Sequence, residues 1–395
     1  MKFLAALLAS GPLFLAGCAT SPDYGRPLPL GARALLPLGP GEALPDLSEQ
    51  WADRTQIIEA LDRSLEYMRR PAARKAYPIE GIEHGRALAS LERLKQLLLQ
   101  SPNGGAFHAA VIEEFEVFKS AGWDGLGGGV LFTGYYTPIF DGRKEPDSVF
   151  KYPLYAKPKD LVSEPDGTVL GVKSGASYLP YPSRRTIDGQ KILDGQGLEL
   201  AYLADPMDAY LAHVQGSAFI RLKNGELFKL GYAGTNGREY TSLAEVLVRN
   251  GEIREEERGI PALRAFAKAH PDRFERYAFE NERYTFFTPI SGTPHGSLDV
   301  PVTARRSLAT DKRLFPRGAP VVVDTRVGLG LGGQDVPFLE LMFDQDTGGG
   351  IRTAGRGDIY LGIGDEAGRI AGTTRGEGQL YYLFLDPELV PKYMP

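Results

Sequence analysis

Between Phe343 and Gly364 the chain reads FDQDTGGGIRTAGRGDIYLGIG, which sets three carboxylates, Asp344, Asp346 and Asp358, among seven glycines. Glycine tolerates positive φ and lets backbone approach a ligand closely. Asp358 falls in Arg356-Gly357-Asp358-Ile359-Tyr360-Leu361, an alternation that predicts a strand with one polar side chain on a mostly apolar face. Desolvation of a carboxyl held there raises its pKa, as a general acid requires. The plainer readings are a Gly-rich turn capped by Asp344 and Asp346, and a structural Asp358 satisfied by turn amides.

No other stretch of the chain competes with this block. Gly328, Gly330 and Gly333 fit a dinucleotide-binding spacing, but Gln334-Asp335-Val336-Pro337 leads into a strand where a helix is needed, so a hairpin loop is expected. Asp344-x-Asp346 begins like a calcium loop, yet its twelfth position is Gly355, not Glu. The five histidines are scattered without metal-ligand spacing, and there is no Gly-x-Ser-x-Gly elbow. No metal and no cofactor are therefore expected. Carboxylates, aromatics and amides remain: Tyr135 and Thr137 in GYYTP, Gln215 in HVQGS, and Asn236 in GYAGTNG. Side chains of these kinds orient ligands in clefts, although strand packing and turn chemistry also account for them.

At 395 residues the chain can hold two domains, taking roughly 100–200 residues for each. A net charge of -5 supplies no basic field, so nucleic acid is not expected as a partner. With 48 Gly, 29 Pro and aromatic strands between them, a mainly β fold with peripheral helices is expected. Lys2, the apolar run Phe3 to Leu15, and Leu15-Ala16-Gly17-Cys18 form an export signal, residues 1–17. The segment resembles the lipobox of bacterial lipoproteins, which implies lipidation of Cys18, the chain's sole cysteine, and anchoring at the periplasmic face of the outer membrane. No later segment is apolar enough to span a bilayer.

Residues 18–48, rich in Pro, Gly and Leu, are expected to form a tether and a loosely packed lead-in. Helical periodicity covers Gln56–Arg69, Arg86–Leu99 and Phe107–Lys119. From Gly127 strands dominate, with a capped helix opening at Asp205-Pro206 and an Asn-Gly hairpin at Lys223-Asn224-Gly225. Helices at Thr241–Arg249 and Pro261–His270 precede a final β-region. This order predicts a discontinuous domain, residues 49–140 with 281–395, interrupted by a smaller inserted β-domain at 141–280.

The blocks GYYTPIF, YPLYAKP, SRRTIDG, HVQGSAFIRL, GYAGTNGREY, ERYTFF, VPVTARRSLATDKRLFPRGAPV and DTGGGIRTAGRGDIYLGIGDEAGRIAG, in that order, resemble the membrane-bound lytic murein transglycosylase A family. The resemblance implies a discontinuous double-psi β-barrel domain with an inserted β-domain and a glycan groove between them. It implies a lyase acting on polysaccharide, of the peptidoglycan lytic exotransglycosylase class. Such an enzyme cleaves the β-1,4 bond between N-acetylmuramic acid and N-acetylglucosamine and leaves a 1,6-anhydromuramoyl end. By motif position Asp358 would be the acid and then the base, and Asp346 its support. Tyr135, Thr137, Gln215 and Asn236 would line the groove, against peptidoglycan glycan strands. The cell-wall synthesis machinery is a further partner the resemblance admits. Two rival readings stand beside it: a hydrolase of the same glycan, with Asp344 or Asp346 acting through water, and a non-catalytic wall-binding lipoprotein.

Overall fold

The structure is a computed structural model that describes residues 22–164, 167–329 and 334–394. The export signal and Cys18 lie outside the described residues, as do Gly330 and Gly333. Six strands, Arg375–Leu385, Pro320–Val327, Val336–Asp346, Ser307–Ala309, Arg356–Ile363 and Val130–Thr137, hydrogen-bond in that order, and the last closes on the first. Two of the joints are parallel, Ser307–Ala309 with Val336–Asp346 and Arg356–Ile363 with Val130–Thr137, and the others are antiparallel. This is the discontinuous barrel of a mainly β fold with peripheral helices that the sequence predicts.

Closure explains the composition of the strands. Val321, Val322 and Val323 are consecutive and fully buried, because the barrel interior takes one face and outer layers cover the other. The helices Arg54–Met68 and His84–Gln100 pack outside the barrel through apolar stripes that include Leu61, Leu65, Leu91, Leu94 and Leu98. Polar side chains fix their seat. Gln345 Nε2 donates to Ala60 O (2.7 Å) and Ser64 Oγ (2.9 Å), and Gln50 satisfies the strand edge at Leu339 O (2.7 Å) and Leu341 N (3.0 Å). Pro320–Val327 pairs antiparallel with Val336–Asp346, with Val327 opposite Val336. That is a hairpin, not a nucleotide-binding turn.

The chain leaves the barrel at Thr137 and enters a second, six-stranded sheet at Ile139–Arg143. That sheet also contains Tyr152–Tyr155, Glu199–Leu203, Ala218–Arg221, Leu227–Thr235 and Thr285–Pro289, and has its own apolar core under four helices. The first of these, Pro206–Gln215, begins where Asp205 accepts a hydrogen bond from Met207 N (2.8 Å) and ends at Gly216, whose φ of 77° demands glycine. Asp205→Ala is expected to cost about 1 kcal/mol, read as a lowered urea midpoint with an unchanged slope.

Two expectations are corrected. The third N-terminal helix spans Gly104–Glu114, and Phe115–Ser120 is a strand between Leu35–Pro37 and Arg375–Leu385. The apolar residues of FEVF suit either period, and pairing partners remote in sequence decided for the strand. The lead-in is also not loose. Ala34, Leu35, Leu44 and Leu47 are buried in the main core, since its leucines cover a barrel edge. Beside these layers lie the helix Asp365–Thr373 and a small three-stranded sheet of Leu161–Ser163, Val169–Ser174 and Ser177–Leu179. No helix among the described residues is long and apolar enough to cross a membrane.

Candidate active site

A groove of about 1190 Å³ runs between the barrel and the inserted sheet. Its floor follows from strand register. Ala309 pairs on one side with Asp346 and on the other with Asp358, so the two carboxylate residues flank a small side chain at about two strand spacings, roughly 10 Å between backbones. On the parallel neighbour, Asp358 stands opposite Thr133 and Tyr360 opposite Tyr135. Arg356, Asp358 and Tyr360 share one strand face by the two-residue period, and that face meets Thr133, Tyr135 and Thr137.

The register also separates Asp344 from Asp346. In a regular strand both would face the same way, but the pairing with Ser307–Ala309 shifts between Leu308 and Ala309. A bulge of this kind re-aims the side chains beyond it. Asp344 therefore enters the barrel core, fully buried, where it accepts hydrogen bonds from Thr310 Oγ1 (2.7 Å) and Tyr382 OH (2.9 Å) and pairs with Lys312 Nζ. Asp346 turns to the groove. It accepts hydrogen bonds from Tyr135 OH (2.8 Å), Ser297 N (2.8 Å) and Thr347 N (2.8 Å). Asp344 cannot reach the groove, so the reading in which it activates water there is set aside.

Asp358 has fewer partners. Its Oδ1 accepts one hydrogen bond, from Thr133 Oγ1 (2.8 Å). Surrounding protein desolvates the carboxyl and pushes it up to about 6, against the Arg356 guanidinium and the Thr133 bond and with a further push from the charge of Asp346. The side chain keeps some solvent access in the groove; the walls of the groove, more than complete enclosure, account for the desolvation. Burial also raises Asp346, although its three donors oppose this. Tyr135 OH, held on Asp346, is raised well above the usual phenol range by burial and by the nearby carboxylates.

Of the four groove residues expected from sequence, two lie there. Tyr135 lines the floor and packs against Tyr360 with ring centroids 5.1 Å apart. Gln215, the last residue of its helix, accepts from Tyr136 N (3.0 Å) through Oε1 and lines the groove. Thr137 and Asn236 do not. Thr137 is fully buried, with Oγ1 between Ser217 Oγ (3.1 Å) and Tyr360 OH (3.0 Å). Asn236 is buried, donating to Pro182 O (2.9 Å) and Glu282 O (2.8 Å) and accepting from Tyr284 N (2.8 Å) and Arg238 N (3.3 Å). With its amide committed to backbone, it ties loops of the insert together. Thr133, Arg356, Tyr240 and Arg283 line the groove without having been singled out. Two of them had a signal: Thr133 and Arg356 lie two residues from Tyr135 and Asp358 on their own strands.

A closed barrel carrying an inserted β-domain, with two carboxyls on the floor of the groove between them, is the build of a groove-binding acid–base enzyme. Residues 131–288 match the family described as the MltA specific insert domain, and residues 306–384 match the 3D domain. The membrane-bound lytic murein transglycosylase A of Vibrio cholerae is 31% identical over 318 residues, covering 77% of this chain and 78% of that protein. That of Escherichia coli strain K12 is 33% identical over 264 residues, covering 66% and 67%. Among solved structures, a membrane-bound lytic murein transglycosylase from Agrobacterium tumefaciens superposes with a TM-score of 0.75 at 26% identity, covering 91% of this chain and 99% of that one. The chain belongs to the membrane-bound lytic murein transglycosylase A family, a family of peptidoglycan-cleaving lyases.

Proposed function

We propose that the protein cleaves the β-1,4 bond between N-acetylmuramic acid and N-acetylglucosamine without water and leaves a 1,6-anhydromuramoyl end, with Asp358 as acid and then base. The observation that carries this reading is the contrast between the two desolvated carboxyls on the groove floor: Asp346 is held by three donors, whereas Asp358, raised to about 6, is tied down by one hydrogen bond. Protonated Asp358 donates to the glycosidic oxygen as the bond to C1 breaks. The carboxylate then takes the proton of the substrate's C6 hydroxyl as that oxygen attacks C1. The proton count returns to its start and no second carboxylate is required, unlike the usual pair. Asp346 stays a supporting group, holding Tyr135 and raising Asp358 by its charge. Tyr135 and Gln215 face the glycan, and Thr137 and Asn236 act at one remove by fixing the groove walls.

Mass spectrometry of murein sacculi incubated with the protein, beside Asp358→Asn, tests the reaction. Anhydromuropeptides from the unmutated protein alone support the reading. Reducing ends point to a hydrolase with water as nucleophile, and the absence of soluble fragments points to a wall-binding module.

The neighbours of Asp358 make the pH profile a second test. The acid works only while protonated, so rate falls as pH rises through its pKa. Removing the like charge in Asp346→Asn is expected to lower that pKa and move the alkaline limb to lower pH, with a smaller loss of rate than Asp358→Asn. Thr133→Val removes a donor to the carboxylate and is expected to move the limb the opposite way. Shifts of one sign in both variants would contradict this wiring.

The same reading divides the chain into a barrel of 49–140 with 281–395 and an insert of 141–280, whose sheet reaches past those bounds to Ile139 and Pro289, behind a signal at 1–17 and a lead-in at 18–48. It also anchors the protein by lipid on Cys18 at the periplasmic face of the outer membrane, next to its substrate and within reach of the cell-wall synthesis machinery. Labelling with a radioactive fatty acid, present in the unmutated protein and absent from Cys18→Ala, is the expected result.

A further inference from the structure

Three arginines, Arg283, Arg352 and Arg356, line the groove around Tyr240 and the Gly348–Gly350 turn. Their spacing is close. A Cβ at Gly349 would lie 3.1 Å from both Arg283 Nε and Tyr240 Cβ, Arg352 Nε reaches Gly349 O at 3.4 Å, and the Arg356 guanidinium lies within electrostatic range of the Tyr240 hydroxyl. None of the three pairs with a carboxylate among the described residues. Among the described residues, the side chain of Arg283 donates only to Arg238 O (3.4 Å) and that of Arg356 only to Thr133 Oγ1 (3.2 Å). Arg356 Nε is buried without an acceptor. The acids within electrostatic range are Glu239 towards Arg283, and Glu245 and Asp358 towards Arg356, and neither arginine is bonded to any of them.

The two fully buried arginines of the described residues are treated differently. Buried Arg184 pairs with Asp188 at 3.5 Å, and buried Arg306 pairs with Glu340 and with Asp53 at 3.2 Å. Burying a guanidinium without a partner is costly, and Arg283 and Arg356 are each half-buried near another cation: Arg352 acts on Arg283, and Arg375, which also lines the groove, acts on Arg356. Desolvation and like charge both weaken their protonated forms. When Asp358 is protonated for catalysis, Arg356 loses its nearest counter-charge as well. The cluster lacks an anion that the chain does not supply.

We infer that Arg283, Arg352 and Arg356 form a carboxylate-binding subsite that recognises the acidic substituent on the muramoyl residue beside the scissile bond. This inference rests on the reading of the reaction given above. N-acetylmuramic acid differs from N-acetylglucosamine by a 3-O-lactyl group, which ends in a carboxylate or continues into a peptide bearing carboxylates. The forked donors of arginine suit a carboxylate in either form. The subsite thereby distinguishes a muramoyl unit from the uncharged sugar next to it and sets the register of the strand over Asp358.

Binding measured in the non-cleaving Asp358→Asn protein tests this apart from the reaction. The probes are an uncharged β-1,4-linked N-acetylglucosamine hexamer, a peptide-free muramoyl glycan, and a peptide-bearing one. Adding Arg352→Gln, which alters an exposed side chain, or Arg283→Gln is expected to weaken the charged probes about tenfold or more. The uncharged hexamer should bind as before, and Arg283→Lys should restore part of the loss. Weakening on the peptide-free glycan assigns the lactyl carboxylate; weakening confined to the peptide-bearing glycan assigns the peptide. Equal weakening of all three probes, or none, overturns the subsite. Failure of the unmutated protein to form anhydro ends would instead overturn the reaction, which these binding data do not depend on.

Discussion

Asp358→Asn is expected to lower turnover of murein by about 10²- to 10⁴-fold, the usual contribution of a positioned acid–base group, while glycan still binds. It is also expected to stabilise the protein. The carboxyl is raised from 3.8 to about 6 in the folded state, so the folded protein holds a proton there that the unfolded chain has released. Below the unfolded value the group is neutral in both states and costs nothing. Stability is then lost as pH rises through the folded value, and above it the desolvated charge costs up to about 3 kcal/mol. Asn is uncharged throughout and its carbonyl can still accept from Thr133. The variant should therefore melt higher than the unmutated protein at pH 7.5, and the two should converge near pH 4. A variant that is inactive but no more stable at pH 7.5 would mean that Asp358 is not desolvated. Sites of function commonly carry such a cost.

Lys312→Met is expected to show the largest loss of stability. Lys312 and Asp344 are paired inside the barrel, with Thr310 and Tyr382 completing the cluster. Burial pushes Asp344 up and Lys312 down, and each opposes the shift in the other. Met fills the space of the lysine stem but leaves the carboxyl with neutral donors only, and breaking a buried pair in this way costs about 3–5 kcal/mol. The sign of the pH dependence follows from Asp344. Without its cation the carboxyl titrates in the folded state above its unfolded value, so the penalty is small near pH 4 and grows as pH rises. Denaturant midpoints for the variant and the parent at pH 4.5 and pH 7.5 measure it. A gap of the same size at both pH values would show that the pair contributes packing alone. A double variant, Lys312→Met with Asp344→Asn, is expected to recover part of the loss, since the two effects couple.

Asp344 lies two residues before a third carboxylate, Asp346, and Asp358 twelve residues after it, and the fates of the three show what local pattern carries. The alternation around Asp358 predicts a strand, and Arg356–Ile363 is one. Period two then puts Arg356, Asp358 and Tyr360 on one face whatever the fold. Asp205-Pro206 and Gly216 determined the ends of a helix, and Asn224-Gly225 a hairpin, because caps and turns are satisfied within a few residues. The ordered sequence blocks determined the family. Tertiary structure decided which groups reach the groove. A bulge against Ser307–Ala309 sent Asp344 inward and Asp346 outward. Backbone carbonyls from Pro182 and Glu282, far away in sequence, absorbed the amide of Asn236. Phe115–Ser120 became a strand because Arg375–Leu385 lay beside it. Sequence alone fixed what is closed by neighbours along the chain; register, burial and charge environment depend on partners that only the folded barrel brings within a few ångströms.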